Sequence, residues 1–387
     1  MNVCGECCVY LPHKMRNLDM YLYQLPKWPH FEWDDNALSN LLAHVRNLQG
    51  RLLGKMEGLG FALQKEASLQ TLTEDVIKSS EIEGEILNAE QVRSSIARRL
   101  GIEIAGLVAS DRNVDGIVEM MLDATQCYKE ELTEDRLFGW HAALFPTGRS
   151  GMHHIVVGKW RDNDKFDPMQ VVSGALGKEK VHFKAPDSEV LTTEMNRFFN
   201  WFNHEQAVDP VLKAAIAHLW FVTIHPFDDG NGRIARAITD LQLARADANA
   251  QRFYSMSSQI RLERTKYYNI LEGTQKGSID ITQWLHWFLT CFGNSLEATN
   301  HTLSKVLNKA RFWDEFGYAT LNSRQKLMLN KLLDGFDGKL NTSKWAKIAK
   351  CSQDTANRDI QNLVELGMLN KEAAGGRSTN YILSPKR

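Results

Sequence analysis

The stretch Leu212–Arg236, LKAAIAHLWFVTIHPFDDGNGRIAR, changes character at one point. Up to Ile224 it is apolar on nearly every side, the pattern of a helix at the centre of a core. From His225 it becomes polar and glycine-rich, and a helical spacing resumes around Arg233. A buried helix, a tight loop and a second helix together decide the fold class, which is mainly α. Gly230 and Gly232 let the backbone turn tightly and bring N–H groups close to a ligand where the new helix begins, the makings of an anion hole. Arg233 and Arg236, three residues apart, share one face of that helix and can grip terminal phosphates with forked hydrogen bonds. Asp229, beside the anion hole, suits Mg²⁺, which binds one or two carboxylates plus phosphate oxygens. His225, at the end of a rigid helix and fixed by Pro226, can accept a proton from an attacking hydroxyl at neutral pH. Phe227 is expected to anchor the loop in the core.

Outward from this loop, apolar residues recur at helical spacing, for instance Leu38, Leu41, Leu42, Val45, Leu48, Leu52 and Leu53, then Ile77, Ile82, Ile86 and Leu87. The exception lies at 150–185, where MHHIVVGKWR and MQVVSGALGKEKVHF hold β-branched runs, and a short hairpin around Gly177 is expected. From Val190 a helix returns with Met195, Phe198, Phe199, Trp201 and Phe202 inward. IDITQWLHWFLTCF opens on an Asp280/Thr282 cap signal and reads as another buried helix. The expected domains are a flexible N-terminus (1–19), an N-terminal helical region (20–105), a core (106–300), a connecting helix (301–319) and a last domain (320–387). In that last domain LNTSKWAKIAKC, SQDTANRDIQNLVELGML and GGRSTNYIL spell two helices and a glycine-tipped strand pair, a winged helix-turn-helix.

Composition narrows the function classes. Of the 387 residues, 43% are hydrophobic and 24% charged, so a large core can be buried. Lys and Arg number 46 against 47 Asp and Glu, which excludes a uniformly cationic nucleic-acid binder or an acidic tail. No run approaches the ~18 apolar residues of a membrane span, and the N-terminus lacks a secretory signal, so the expected location is the cytoplasm. Cys4, Cys7 and Cys8 crowd one end while Cys127, Cys291 and Cys351 stand alone, so no disulfide framework is expected; no second pair completes four metal ligands around the CxxCC cluster.

The segment HPFDDGNGRIAR, His225–Arg236, resembles the Fic family signature HxFx[D/E]GNGRxxR at every specified position. The resemblance extends to GKWR at Gly158–Arg161, to the flap-like hairpin and to KYYNILEGTQKG with Tyr267 and Tyr268. It implies a Fic helical core with a β-hairpin flap that transfers AMP from ATP to a hydroxyl of a target protein. It also implies roles: His225 as general base, Asp229 as Mg²⁺ ligand, and Gly230, Asn231, Gly232, Arg233, Ile234, Ala235 and Arg236 as the ATP phosphate cradle. Tyr268 and Gln275 look like residues of the adenine side. Relatives that bind the nucleotide in an inverted pose carry Lys at the second loop glycine; Gly232 here implies the ordinary orientation, α-phosphate toward the target. Upstream, VIKSSEIEGEIL resembles the inhibitory motif [S/T]xxxE[G/N] through Ser79, Glu83 and Gly84, and YLYQLPKWPHFEWDDNALSNLL looks like the amino-terminal region of such proteins. A helix from Thr73 to Leu87 would carry Ser79 and Glu83 on one face, with Glu83 pairing Arg236 in the space of the ATP γ-phosphate.

Other residues receive plainer readings. His218 and His141 are expected to be satisfied core histidines. His153 and His154, adjacent on a strand, point to opposite faces and make a poor metal pair. Glu81 and Glu85 read as solvated helix charges, and Trp284, Trp287 and Phe288 as core packing. Residues 320–387 hold 12 Lys and Arg against 6 Asp and Glu. Gln353, Asn357 and Arg358 suit base edges or phosphates, with Arg377 at the wing, whereas Asp354 and Asp359 would oppose phosphate. The expected function is an autoinhibited adenylyltransferase acting on Tyr, Thr or Ser hydroxyls of a target or of itself, with Glu83 positioning water if the same site removes AMP. The alternative is a nucleotide-sensing regulator that binds DNA through the winged helix. A homodimer is left open and no membrane partner is expected.

Overall fold

The computed structural model describes residues 20–103, 107–164, 166–174, 178, 180–317, 319–336, 338–372 and 379–384. The expected flexible terminus, Cys4, Cys7, Cys8, Gly177 and Arg377 lie outside them.

Helices α1 (Asp35–Glu57) and α2 (Phe61–Ile82) bury Leu38, Val45 and Leu52, then Leu69, Leu72 and Val76. α2 ends at Ile82, short of the expected Leu87, and Ile86 is fully outside the core at 88% exposure. α3 (Ala89–Arg99) starts where Asn88 accepts hydrogen bonds from the amides of Glu90 and Gln91. α4 (Arg112–Gln126) and α5 (Glu134–Leu144) cross so closely that a Cβ on Gly116 would stand 1.8 Å from the Ala143 carbonyl oxygen.

Two-residue strands β1 (Arg149–Ser150) and β2 (His153–His154) pair antiparallel, and β3 (Gln170–Ser173) pairs antiparallel with β4 (Lys180–Lys184), with a register irregularity between Val171 and Val172. The β-branched run IVVGKWR forms no strand. Its amides are spent on other partners: Val156 N–H on Asp228, Gly158 N–H on His141 and Arg161 N–H on the Pro226 carbonyl.

α6 (Leu191–His204) buries Leu191, Met195, Phe198 and Phe202. α7 (Pro210–Ile224) begins with Pro at its first position behind an Asp209 cap, and every residue from Val211 to Ile224 is buried. Lys213 is accommodated because its Nζ donates to the Glu205 carbonyl at 2.5 Å. α8 (Asn231–Asp247) packs along α7 and against α4. α9 (Met256–Leu262) and α10 (Arg264–Gln275) follow. α11 (Thr282–Phe316) starts under Asp280, which accepts from the Thr282 amide and hydroxyl, and buries Trp284, Trp287 and Phe288 as expected. α11 is unbroken, so residues 301–316 continue it rather than form a separate connecting helix.

The described residues divide into two compact units: residues up to Leu53 with Leu69–Ser295, and Gly54–Ser68 with residues from Leu296 onward. The second unit carries α12 (Ser323–Gly335), α13 (Thr342–Ile348), α14 (Gln353–Glu365) and the antiparallel pair β5 (Leu369–Lys371) with β6 (Tyr381–Leu383). They enclose Met328, Leu329, Trp345, Ile360, Leu363 and Met368. Asp359 is 6% exposed, accepting from Asn322 at 2.9 Å and from Arg324 at 2.8 and 3.1 Å. It therefore faces inward and not toward a phosphate, because Arg324 neutralises it inside the unit.

Candidate active site

His225 caps α7 in the left-handed conformation, φ 51° and ψ 59°, and so swings its ring out of the helix direction. A non-glycine residue held there costs of order 1–3 kcal/mol and persists only under strong local constraint. Arg161 supplies it: 2% exposed, it donates Nε to the His225 carbonyl at 2.8 Å, Nη2 to the Pro186 carbonyl at 2.6 Å and its own N–H to the Pro226 carbonyl at 2.9 Å. The His225 Nδ1 lies 3.3 Å from the Val222 carbonyl, which can only accept, so the ring proton is assigned to Nδ1 and the lone pair to Nε2. Burial, with Arg161 adding to it, pushes the imidazole down to about 4, so the ring is neutral at physiological pH.

The loop that follows is closed by Asn231, whose side chain accepts from the Phe227 N–H at 3.0 Å and donates to its carbonyl at 2.8 Å. Phe227, fully buried, stacks on His141 at 4.2 Å. His141 takes the Gly158 N–H on Nδ1 and donates Nε2 to the Asp229 carbonyl, while His218 meets Thr239 and Tyr267 at 2.9 Å each, so both are satisfied core histidines. Gly230, at φ 81°, leads into α8, whose first hydrogen bond runs from Ile234 N–H to the Gly230 carbonyl. The preceding amides at the helix start have no acceptor within the helix and face any anion placed there.

The side chains of Asn231, Ile234 and Ala235 are not free for a ligand, and Asn231 offers the anion hole only its backbone N–H. The Asn231 side chain is spent on the loop, and Ile234 and Ala235 are fully buried in the core. The Asp229 carboxylate accepts from Ser150 Oγ and, at 2.5 Å, from the Gly230 N–H. A hard-oxygen carboxylate at the rim of the anion hole fits Mg²⁺, which needs few protein ligands when phosphates supply the rest. Among the described residues no cluster of three or more His, Cys, Asp or Glu stands ready for a metal, and His153 and His154 are both exposed on β2.

The acidic segment after α2 reaches the arginines. Glu83 lies in the turn beyond Ile82, so it shares no helix face with Ser79; the two converge on Arg236 from separate elements. Arg236 donates Nε to Ser79 Oγ and Nη2 to the Ser79 carbonyl, both at 2.9 Å, and Nη2 meets Glu83 Oε1 at 2.8 Å. Burial is the largest influence and opposes its charge, but Glu83 together with Tyr267 and Tyr268 outweighs that and raises its pKa. Arg233 donates Nη1 to Glu85 at 2.8 Å and lies 5.0 Å over the Phe145 ring. Glu81 pairs with Lys78 at 2.9 Å and Arg261 at 3.5 Å. Glu81 and Glu85 are thus ion-paired rather than simply solvated. A Cβ on Gly232 would stand 2.2 Å from Glu83 Oε1, so a side chain there would displace that carboxylate from its place.

A cavity of about 490 Å³ opens beside these groups, lined by His225, Gly232, Glu83, Tyr268 and Gln275 together with the flap strands β3 and β4. Tyr268 hydroxyl reaches Glu83 Oε2 at 3.4 Å, and Gln275 Nε2 reaches the Val222 carbonyl at 3.4 Å. Flap residue His182 joins Ser173 and Glu272 at 2.6 Å each. Asp229, Gly230, Arg233, Arg236 and Ser79 surround the loop without lining this cavity. No sequence signal gives a site role to Arg161 or Ser150, and Glu85 reads in the sequence only as a solvated charge; Arg161 stands in GKWR, but nothing in its spacing ties it to His225.

Residues 131–243 match the Fic/DOC family, and residues 21–102 match a domain of unknown function, DUF4172. Protein adenylyltransferase Fic of Drosophila erecta is 26% identical over 310 residues, covering 74% of this chain and 56% of that protein. The Aedes aegypti protein of the same name is 27% identical over 240 residues, covering 60% and 42%. The chain thus spans about half the length of these curated relatives. The fold resembles a Fic family protein from Desulfovibrio desulfuricans G20, with TM-score 0.52 at 19% identity over 91% of this chain and 97% of that one. A Fic domain containing signaling protein from Bacteroides thetaiotaomicron VPI-5482 gives 0.50 at 22% identity over 67% and 97%. With an intact loop motif on a matching helical core, residues 131–243 form a Fic/DOC domain.

Proposed function

We propose that this chain transfers AMP from ATP to a hydroxyl side chain of a protein, and that Glu83 restrains it at rest. The carrying observation is the neutral His225, its Nε2 lone pair available beside a cavity that Gly232 also lines. In the proposed reaction the target hydroxyl oxygen attacks the α-phosphorus, His225 Nε2 takes its proton, and the α–β phosphoanhydride bond breaks to release pyrophosphate. The amides at the start of α8 and Arg233 and Arg236 would hold the phosphates, with Tyr268 and Gln275 toward the adenine. Asp229 would hold Mg²⁺, which neutralises phosphate charge when bound. The exposed Val172 and Val181 of the flap suit an extended target segment adding beside it. Glu83, on Arg236, competes with the terminal phosphate. Incubation with ATP labelled at the α-phosphate and a cell lysate tests this: labelling by the wild type that is lost in His225→Ala supports it, and equal labelling by both rejects it.

A second reading concerns residues 320–387. We propose that α14 is the recognition helix of a winged helix that binds duplex DNA. Asp359, turned inward onto Arg324, no longer counts against it, and Gln353, Asn357 and Arg358 are exposed. Full-length protein showing no DNA shift even at low salt would reject it, since phosphate contacts strengthen as salt falls.

A further inference from the structure

Helices α2 and α8 meet at two levels, one helical turn apart on each. At the first, Arg236 grips Ser79. At the second, four residues back on α2 and four residues on along α8, Asp75 and Asp240 come together in the core. Asp75 is 4% exposed and Asp240 2%. One oxygen of each is fully used: Asp75 Oδ1 accepts from Ser255 Oγ and from the Ser257 N–H at 3.2 Å, and Asp240 Oδ1 accepts from Arg252 Nη2 at 2.5 Å. The other oxygens, Oδ2 of both, are buried and have no donor among the described residues.

Two adjoining acceptors with no donor imply a hydrogen that heavy-atom positions do not record. Two buried carboxylates side by side repel, and both oxygens would be left unsatisfied. A single proton removes one charge and turns the pair into a short O–H···O⁻ hydrogen bond. The surrounding charges agree. The ionisable groups around the pair are Arg252, Asp247 and Tyr254; Arg252 also reaches Asp247 at 3.4 Å and Tyr254 at 2.8 Å. One guanidinium among three buried carboxylates leaves an excess of negative charge that a shared proton reduces.

We propose that Asp75 and Asp240 share one proton, and that this proton seats on α8 the helix whose end carries Ser79 and Glu83. The pair are positioning residues, acting on the site only through α2, and their effect on activity rests on the reading of Glu83 as a restraint. Burial, then the Asp75 charge, hold the Asp240 carboxyl well above the usual carboxylate range against the pull of Arg252. A carboxyl whose pKa is raised in the docked state favours docking at low pH. That contribution is lost as pH rises through the raised value, so the seat loosens toward alkaline pH.

The test uses the full chain and the variant Asp75→Asn, whose amide keeps an oxygen for Ser255 and Ser257 and offers Asp240 a permanent N–H. Hydrogen-exchange protection of α2 amides is followed from about pH 5 to about pH 9, the span in which buried carboxyls titrate. The wild type is expected to lose protection by up to about tenfold per unit of pH between the ordinary carboxylate range and the raised shared pKa, and to level off above it. Asp75→Asn is expected to stay flat, as is Asp240→Asn should the first variant not fold. In parallel, labelling from α-labelled ATP should rise with pH in the wild type relative to Glu83→Gly, and not in Asp75→Asn. Flat protection in the wild type, or an equal fall in the folded variant, overturns the shared proton. Protection that behaves as expected while Glu83→Gly labels no faster than wild type upholds the proton seat and rejects the restraint by Glu83.

Discussion

Glu83→Gly is the most direct probe of the site. The carboxylate makes one charged contact, Oε1 to Arg236 Nη2 at 2.8 Å, and one long contact to the Tyr268 hydroxyl at 3.4 Å. A hydrogen bond to a charged group is worth about 1.5–3 kcal/mol. The Glu83 side chain is 33% exposed against 2% for Arg236, and solvent screening moves the value to the lower end, about 1.5–2 kcal/mol. Released to the transition state, that energy corresponds to about 10- to 30-fold in rate. The arginine should not lose its aim, because both Ser79 hydrogen bonds remain. The assay is incorporation of α-labelled AMP into lysate proteins and into the chain itself, with ATP binding measured by calorimetry on the same samples. The gain should disappear in the double variant with His225→Ala, since freeing Arg236 supplies no base. If Glu83→Gly is folded, binds ATP and labels at the wild-type rate, the segment after α2 is a packing element and the reasoning fails.

Gly116→Ala should destabilise the first unit by about 1–3 kcal/mol or more, because its Cβ would collide with the Ala143 carbonyl at 1.8 Å; urea unfolding measures this. Arg161→Lys should lower kcat at least tenfold with little change in ATP affinity, since one ammonium cannot hold the His225 and Pro186 carbonyls together; steady-state kinetics with calorimetry separates the two. His141 and His225 are pushed down to about 4 and His218 to about 3, chiefly by burial, so the unfolded chain binds more protons below about pH 6.5; stability should fall as pH drops from there toward 4, read by thermal unfolding. For the same reason the acid limb of kcat/KM should lie near pH 4 rather than near 6.5.

The central helix, the loop motif and the flap strands were legible because each has a local signature: an all-round apolar run, glycines before a helix start, and β-branched pairs. Ser79, Glu83 and Arg236 were brought together by a motif, not by periodicity, and periodicity carried the helix too far, to Leu87. The chain leaves it at Glu83 because Gly84 turns at φ 89° and Arg264 donates to the Ile82 carbonyl at 2.7 Å, a contact from 182 residues away. Arg161, Glu85 and the Asp75–Asp240 pair were illegible for the same reason. Each is defined by a partner far along the chain, and a buried charge without its partner reads in the sequence as an ordinary surface residue. Asp359 shows the converse, since its helix position permits either face and only Arg324 decides which.

Gly232 leaves the space in which the Glu83 carboxylate sits. Under the proposed function the terminal phosphate of ATP would need the same space, and a carboxylate and a phosphate cannot occupy it together. Under the proposed function that exclusivity makes the two occupants thermodynamic antagonists, and antagonism of this kind is reciprocal. Whatever factor Glu83 subtracts from nucleotide affinity, bound nucleotide subtracts from the grip of α8 on Glu83. Sequence drift anywhere along α2 that tightens its docking would therefore surface as a weaker enzyme for ATP, with every residue of the loop motif unchanged.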